Sequence, residues 1–482
     1  MQFNSFVFIL LFLPLTIFAY FIGNKLNQLI GKIIIIAASL VFYAYATRSI
    51  LIVLGISLLI NYCSIIMIKK VNKWNKVFMI IPILINIGLL LYFKYLNFGI
   101  TNINLIFGKE FALKDLVLPL GISFFTFQQI AYVVSVYRGE LENCSIIDYL
   151  AYILYFPKIL MGPLTEPTDF ISQLNNQQLK KIDINNIACG IKLFSFGLFK
   201  KIMIADVFAN AVSWGYTNIA VTSAADWFLI SLFYTFEIYF DFSGYSDMAV
   251  GTSLMLNITL PINFDSPYKA LSIRDFWRRW HISLTKFFTQ YIYIPLGGSR
   301  KGRILTYINT LIVFLISGIW HGANWTFVLW GIIHGIFMVL DRIFEKTENK
   351  VFEPVRWFIT FNIINVLWLL FRSDSISQWK QLVEKIVFMQ NTTVSEGLIC
   401  SFVLPEATFI QNILHLNIFV NNIRGFWMIV YIVMAFVICL IPENNYKTYK
   451  RLSVLLMLLA AVLFVWGFIC LSSESVFVYF NF

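Results

Sequence analysis

The chain contains four histidines, His281, His321, His334 and His415. An imidazole is the side chain best suited to take a proton from a hydroxyl near neutral pH. His321 lies in the run SGIWHGANW (residues 317–325), between two strongly apolar segments. An ionisable group in such surroundings is costly and marks a functional site by default; the competing reading is a hydrogen-bonded structural histidine. Gly318 and Gly322 flank it and are predicted to leave the backbone room for a ligand. His334 follows 13 residues later, roughly 20 Å farther along a straight helix and more than about 100° around it. One helix cannot bring both imidazoles to one reacting atom, so His334 reads as structural or lining.

His281 sits in RDFWRRWHISLTK (residues 274–286). Two readings stay open for this run. It is an amphipathic interfacial helix with aromatic anchors, or a cationic cytoplasmic mouth for an anionic donor with a histidine at its inner end. The cluster Ser299, Arg300, Lys301 and Arg303 suits either one. The run FDFSGYSD places Asp241 and Asp247 six residues apart in apolar surroundings. They either orient polar groups or a histidine, or cap a helix broken around Gly244. The chain has no phosphate loop, nucleophile elbow, dinucleotide fingerprint or HExxH motif. Its six cysteines (Cys63, Cys144, Cys189, Cys400, Cys439 and Cys470) have no CxxC spacing. Neither a disulfide nor a metal site is expected.

The elements that hold these residues belong to a membrane protein. Of the 482 residues, 59% are hydrophobic, 18% aromatic and 13% charged, against roughly 25% charged in soluble domains. This excludes a soluble enzyme, a disordered chain and a secreted disulfide scaffold, leaving an all-α polytopic membrane protein. The net charge of +11 is explained by Lys and Arg retained in cytoplasmic loops, so no nucleic-acid partner is expected. Met1–Gly23 is apolar with no basic residue ahead of it, and Lys25 and Lys32 follow. That pattern predicts a retained first helix with the N-terminus outside. After two more segments, separated by a tiny loop containing Arg48, the basic run Lys69–Lys76 then falls in the cytoplasm. The basic stretch Tyr446–Arg451 places the C-terminus outside.

Further apolar segments include Val77–Leu96, Ile187–Ala209, Trp227–Phe240, Met248–Leu260, Leu305–Trp320 and Trp325–Leu340. Several are too short to span roughly 30 Å of hydrocarbon, and Pro119-Leu-Gly121, Pro157 and Pro295-Leu-Gly297 interrupt others. Broken backbone at membrane depth needs protein or water around it, so re-entrant helices lining a polar interior are expected. No linker divides the chain, giving one domain over residues 1–482. Residues 373–422 form the most polar long segment, expected on or outside the membrane.

Taken together, DFWRRWHISLT (275–285), YIPLGGSRKG (293–302) and GIWHGANW (318–325) resemble the membrane-bound O-acyltransferases, most closely the alginate O-acetyltransferase branch. PLGISFFTFQ (119–128), VYRGE (136–140) and the terminal Tyr479-Phe-Asn-Phe482 are similar to that branch too. The resemblance is densest over residues 119–335, taken as the catalytic core, and reaches both ends. It implies a helical bundle around a central funnel, and acyl transfer in a bacterial cytoplasmic membrane. The acyl group, acetyl by that likeness, would come from a cytoplasmic donor such as acetyl-CoA, used as cosubstrate with no bound cofactor. The acceptor would be a hydroxyl of a cell-wall or extracellular polysaccharide.

The family's essential histidine maps onto His321 and its second histidine onto His281. Arg278, Arg279 and Arg300 are candidates for the phosphates of CoA. Transfer to the polymer would need a separate extracytoplasmic hydrolase-like partner, since this chain carries no such domain. Two rival readings remain. One is D-alanyl transfer to teichoic acids from a carrier protein. The other is a secondary transporter, which predicts two halves with matching interruptions and paired midplane charges; neither is legible in the sequence.

Overall fold

The computed structural model describes residues 1–46, 51–141, 145–348, 351–389, 391–471 and 477. Arg48, Cys144 and the terminal Tyr479–Phe482 lie outside the described residues. Among those described there are helices and turns but no strand, as an all-α membrane chain requires. Among the described residues, seven helices are long and apolar enough to cross a membrane. They are α1 (Val7–Leu26), α2 (Gln28–Ala46), α3 (Leu51–Lys70), α4 (Asn75–Phe107) and three later ones named below. Shorter helices used here are α5 (Ile122–Tyr137) and α6 (Ile184–Phe199). Next comes α7 (Ala224–Met255), followed by α8 (Ile273–Arg279) and α9 (Ile282–Phe288). The remaining long spans are α10 (Arg303–His321), α11 (Trp325–Glu348) and α12 (Glu353–Arg372).

Lipid tails are as apolar as leucine, so helices in a membrane associate through close backbone approach and interhelical hydrogen bonds. Both devices are present. A cluster of amides ties α3, α4 and α5 together: Asn61 and Asn86 exchange amide hydrogen bonds at 3.1 and 2.9 Å, and Ser57 Oγ reaches Gln129 Oε1 at 2.8 Å. A glycine seam does the same for α6 and α7. A Cβ on Gly197 of α6 would stand 2.6 Å from the carbonyl oxygen of Gly244 on α7. One on Gly190 would stand 2.6 Å from that of Gly251.

This seam corrects one expectation. The segments Trp227–Phe240 and Met248–Leu260 belong largely to one helix, α7, which continues through Gly244 without a break. Gly244 is there for close packing, and Asp241 and Asp247 therefore cap nothing. A reciprocal capping box starts α7, with Ser223 and Asp226 each accepting from the other's backbone N–H at 3.0 and 2.9 Å. Asp226 also accepts from Ser395 N at 2.8 Å, which anchors the polar 373–422 segment to α7. That segment folds as four short helices, Ile376–Val387, Glu396–Cys400, Pro405–Ile413 and Asn417–Asn422.

Around Pro157 the chain leaves helical geometry and yet stays buried, with Tyr155, Phe156 and Ile159 at 0% exposure. Protein groups satisfy it. Phe156 N donates to Ser39 Oγ at 3.0 Å, Leu164 N to Ser283 Oγ at 3.0 Å, and Tyr152 Oη to the Thr165 carbonyl at 2.7 Å.

Overpacking a tight backbone contact costs roughly 1–3 kcal/mol. Gly197→Leu is therefore expected to lower the melting temperature of the detergent-solubilised protein by several degrees. Gly55→Ala, where a Cβ would meet nothing within 4 Å, should leave it unchanged in the same fluorescence-detected thermal assay.

Candidate active site

His321 is the last residue of α10, and Gly322 turns the chain out of the helix with an extended backbone. A helix end leaves carbonyls without intrahelical donors. Here α4 supplies them. Lys94 Nζ donates to the carbonyls of Trp320 and His321 at 2.7 and 2.8 Å, and Tyr95 Oη donates to that of Ile319. Both residues belong to a π-turn in α4, Leu91–Tyr95, a local widening frequent at functional sites. Farther along α4, Asn102 Oδ1 accepts from Trp325 Nε1 at 2.9 Å. The turn between α10 and α11 is thus gripped on both sides of His321. The cation at the helix C-terminus also complements its dipole.

The imidazole of His321 is buried among rings, with Trp320, Trp330 and Phe371 centroids at 4.8, 5.2 and 5.2 Å. The glycines beside it do not make room for a ligand, contrary to expectation. A Cβ on Gly318 would lie 2.4 Å from the Phe327 carbonyl oxygen of α11, and one on Gly322 would lie 2.1 Å from the Phe327 ring. Gly318 lets α10 and α11 pack backbone to backbone, and Gly322 lies flush against the Phe327 ring.

His281 joins α8 to α9 in a left-handed conformation, φ +45°, unusual for a residue with a Cβ and a mark of local strain. Its carbonyl accepts from Leu284 N and Thr285 N, each at 3.0 Å. The ring packs on Phe242 at 4.7 Å and on Trp320 at 6.5 Å. Both ring nitrogens are buried without a hydrogen-bond partner, as are both amide atoms of Gln128 and Nε1 of Trp320. Buried polar atoms in native proteins are nearly always satisfied, so these atoms are suited to water or substrate. The fold brings His281 within 6.5 Å of Trp320, the chain neighbour of His321. His334 stands one ring farther off: its Nδ1 accepts from Trp277 Nε1 at 3.1 Å, and its ring meets Trp330 at 4.6 Å. That is a satisfied structural histidine.

The arginines lie elsewhere. Arg278 and Arg279 both pair with Asp275 at 3.0 Å, and Arg279 also donates to the Asp265 carbonyl at 3.2 Å. Arg300 is exposed on the turn before α10. Their neighbour Arg274 bridges to Glu345 at 2.7 Å, which puts α8 beside the far end of α11 from His321.

Sequence reasoning passed over the buried lysines. Lys94 is a lone cation inside an apolar stretch, and that signal was sufficient to single it out. Lys201 pairs with Asp241 at 2.7 Å and Asp206 at 2.8 Å, and Lys200 pairs with Asp247 at 2.7 Å. Asp241 and Asp247 thus serve as partners for lysines on the segment following α6, and the chain does carry paired charges at depth. Their absence, which had counted against a transporter, does not hold; the family assignment decides the matter instead.

Residues 122–373 match the membrane-bound O-acyltransferase family. The chain is 36% identical over its whole length to the peptidoglycan O-acetyltransferase of Helicobacter pylori, covering 97% of that protein. It is 36% identical to a probable alginate O-acetylase of Pseudomonas putida, over 78% of each chain. To the teichoic acid D-alanyltransferase of Bacillus subtilis it is 27% identical, over 49% of this chain and 62% of that one. The chain belongs to the membrane-bound O-acyltransferase family. It is an integral membrane O-acyltransferase.

Lys94 holds the α10 terminus that carries His321. Lys94→Gln is expected to lower kcat about tenfold, on the scale of one lost charged hydrogen bond, with the donor KM unchanged. Lys94→Arg should recover part of the loss. Equal losses in both variants, tracking a loss of folded protein, would show a structural role alone.

Proposed function

We propose that this enzyme moves an acetyl group from a cytoplasmic thioester, acetyl-CoA, across the membrane toward a hydroxyl of a cell-wall or extracellular polysaccharide, with His321 as general base. The observation that carries the reading is the convergence of His321 and His281 on Trp320, with the His281 nitrogens and the indole N–H unsatisfied and buried. A thioester is already activated, so transfer requires chiefly that the acceptor hydroxyl lose its proton. His321 takes that proton as the hydroxyl oxygen bonds to the carbonyl carbon. The C–S bond then breaks and the proton passes to the departing thiolate. A positioned base of this kind contributes typically about 10²–10⁴-fold. His281 assists or positions the donor, and Arg278, Arg279 and Arg300 are the candidates for its phosphates.

The K/R bias supports the bacterial cytoplasmic membrane with the N-terminus outside. Arg303, Arg342 and Arg356 then share the cytoplasmic end of α10–α12, and His321 lies toward the outer end. An extracytoplasmic hydrolase-like partner would complete transfer to the polymer. Full-length similarity to a peptidoglycan O-acetyltransferase favours acetyl over D-alanyl, since the D-alanyl-transferring relative aligns over only 49% of the chain.

His321→Ala is expected to abolish O-acetylation of the cell wall while membrane insertion and abundance persist. Wall acetylation that survives in this variant would remove His321 from the mechanism.

A further inference from the structure

Near one end of α1 its Phe8 ring stacks on Phe194 of α6 at 6.1 Å. Beyond that contact a groove of about 1210 Å³ lies between the two helices, larger than most small-ligand pockets. Its walls are mainly apolar, with Leu13, Ile17 and Phe21 from α1 and Ile187 and Ile191 from α6. Phe464 of the helix Val454–Ile469 joins them. Phe18, Ile22 and Ile191 of the lining are exposed, so the groove opens sideways, toward hydrocarbon.

The other end is cationic. Lys25 in the last turn of α1 and Lys180 and Lys181 ahead of α6 all line the groove, and no carboxylate does. Phe8 and Lys25 stand roughly 25 Å apart along α1. Lys180 Nζ donates to Tyr20 Oη at 3.2 Å, which leaves an ammonium group further donors for a ligand. None of the three lysines is ion-paired among the described residues. Elsewhere in the bundle Lys32, Lys200 and Lys201 are answered by aspartates at 2.6–2.8 Å. The carboxylates near this end are engaged. Asp148 holds Lys32, and Asp183 Oδ1 caps α6 by accepting from Asn185 N and Asn186 N at 2.9 and 3.2 Å.

A free anion would use the lysines and not the long apolar wall, and a neutral lipid would use the wall and not the lysines. An amphiphile with a phosphate headgroup uses both. The K/R bias explains a lysine at the inner end of α1. It does not explain three that converge from two elements on one groove without a carboxylate.

We propose that this groove binds an anionic glycerophospholipid of the cytoplasmic leaflet. Its phosphate lies among Lys25, Lys180 and Lys181, and an acyl chain follows the cleft between Ile17 and Ile191 toward Phe8. The lipid thereby joins α1 to α6 where the protein leaves a gap. The leaflet follows from the orientation proposed above, whereas the site does not depend on the acyl-transfer reading.

The test places the full chain in nanodiscs of phosphatidylcholine alone or of phosphatidylcholine containing phosphatidylglycerol. The anionic lipid is expected to raise the melting temperature by about 5 °C, because a ligand of the folded state stabilises it. Lys25→Gln combined with Lys181→Gln should abolish most of that rise. Lys70→Gln combined with Lys73→Gln, an equal loss of charge at exposed positions, should keep it. A rise that survives in the first double variant, or falls equally in both, would overturn the site.

Native mass spectrometry reads occupancy directly. Phosphatidylglycerol should be retained severalfold over phosphatidylcholine from an equal mixture. Ile191→Trp, which fills the groove from an exposed wall position, should remove that preference. No preference in the unaltered chain, or an unchanged one in Ile191→Trp, would sink the proposal. In phosphatidylcholine, soluble glycerol 3-phosphate is expected to give no thermal shift, and any shift with CoA should persist in the Lys25→Gln, Lys181→Gln chain. A shift with either compound that this variant abolishes would assign the lysines to a soluble phosphate and overturn the lipid.

Discussion

A helix that stops inside a membrane protein exposes carbonyls that lipid cannot answer and water reaches with difficulty. In this chain α10 stops at His321, and the carbonyls of Ile319, Trp320 and His321 are answered by Tyr95 and Lys94 from α4. That contact lets a histidine occupy a helix terminus at depth, where the chain can turn sharply and present an imidazole without a full helical turn beyond it. Much of the bundle serves to hold α4 and α10 in register. The amide cluster of Asn61, Asn86 and Gln129 fixes α4 against α3 and α5, and the Gly318–Gly331 contact fixes α10 against α11.

The second constraint is charge. Lys200 and Lys201 follow α6, and Asp241 and Asp247 lie on α7, where the glycine seam brings the two backbones together. Close approach and ion pairing reinforce one another here. Short interaxial distance gives the lysines reach, and pairing offsets part of the desolvation cost of burying them. Among the described residues, one buried carboxyl oxygen, that of Glu237, is left over. Surplus polarity at such depth is the mark of a surface shaped for something other than the protein itself.

Seen from the imidazole, the surroundings differ from one side to the other. Toward Trp320 and His281 the walls are aromatic with unsatisfied N–H and ring nitrogen atoms. Beyond Phe371 they are charged.

Composition, hydropathy and the loop charges were enough to establish a polytopic helical membrane protein, because solvation in hydrocarbon is a property of local sequence. The runs around His281 and His321 carried the family, since their residue types recur as contiguous words. What local sequence could not determine was which face each small or charged residue turns to its neighbours. Gly244 reads as a helix breaker and Gly318 as space for a ligand, yet each is a point of backbone contact with another helix. Asp241 reads equally as a cap or as a group orienting polar partners, and it pairs with Lys201, 40 residues away. Lys94 reads as one cation in an apolar span and holds the carbonyl of His321, 227 residues distant. Such pairings depend on interaxial distance and rotation, which arise only when the helices pack together.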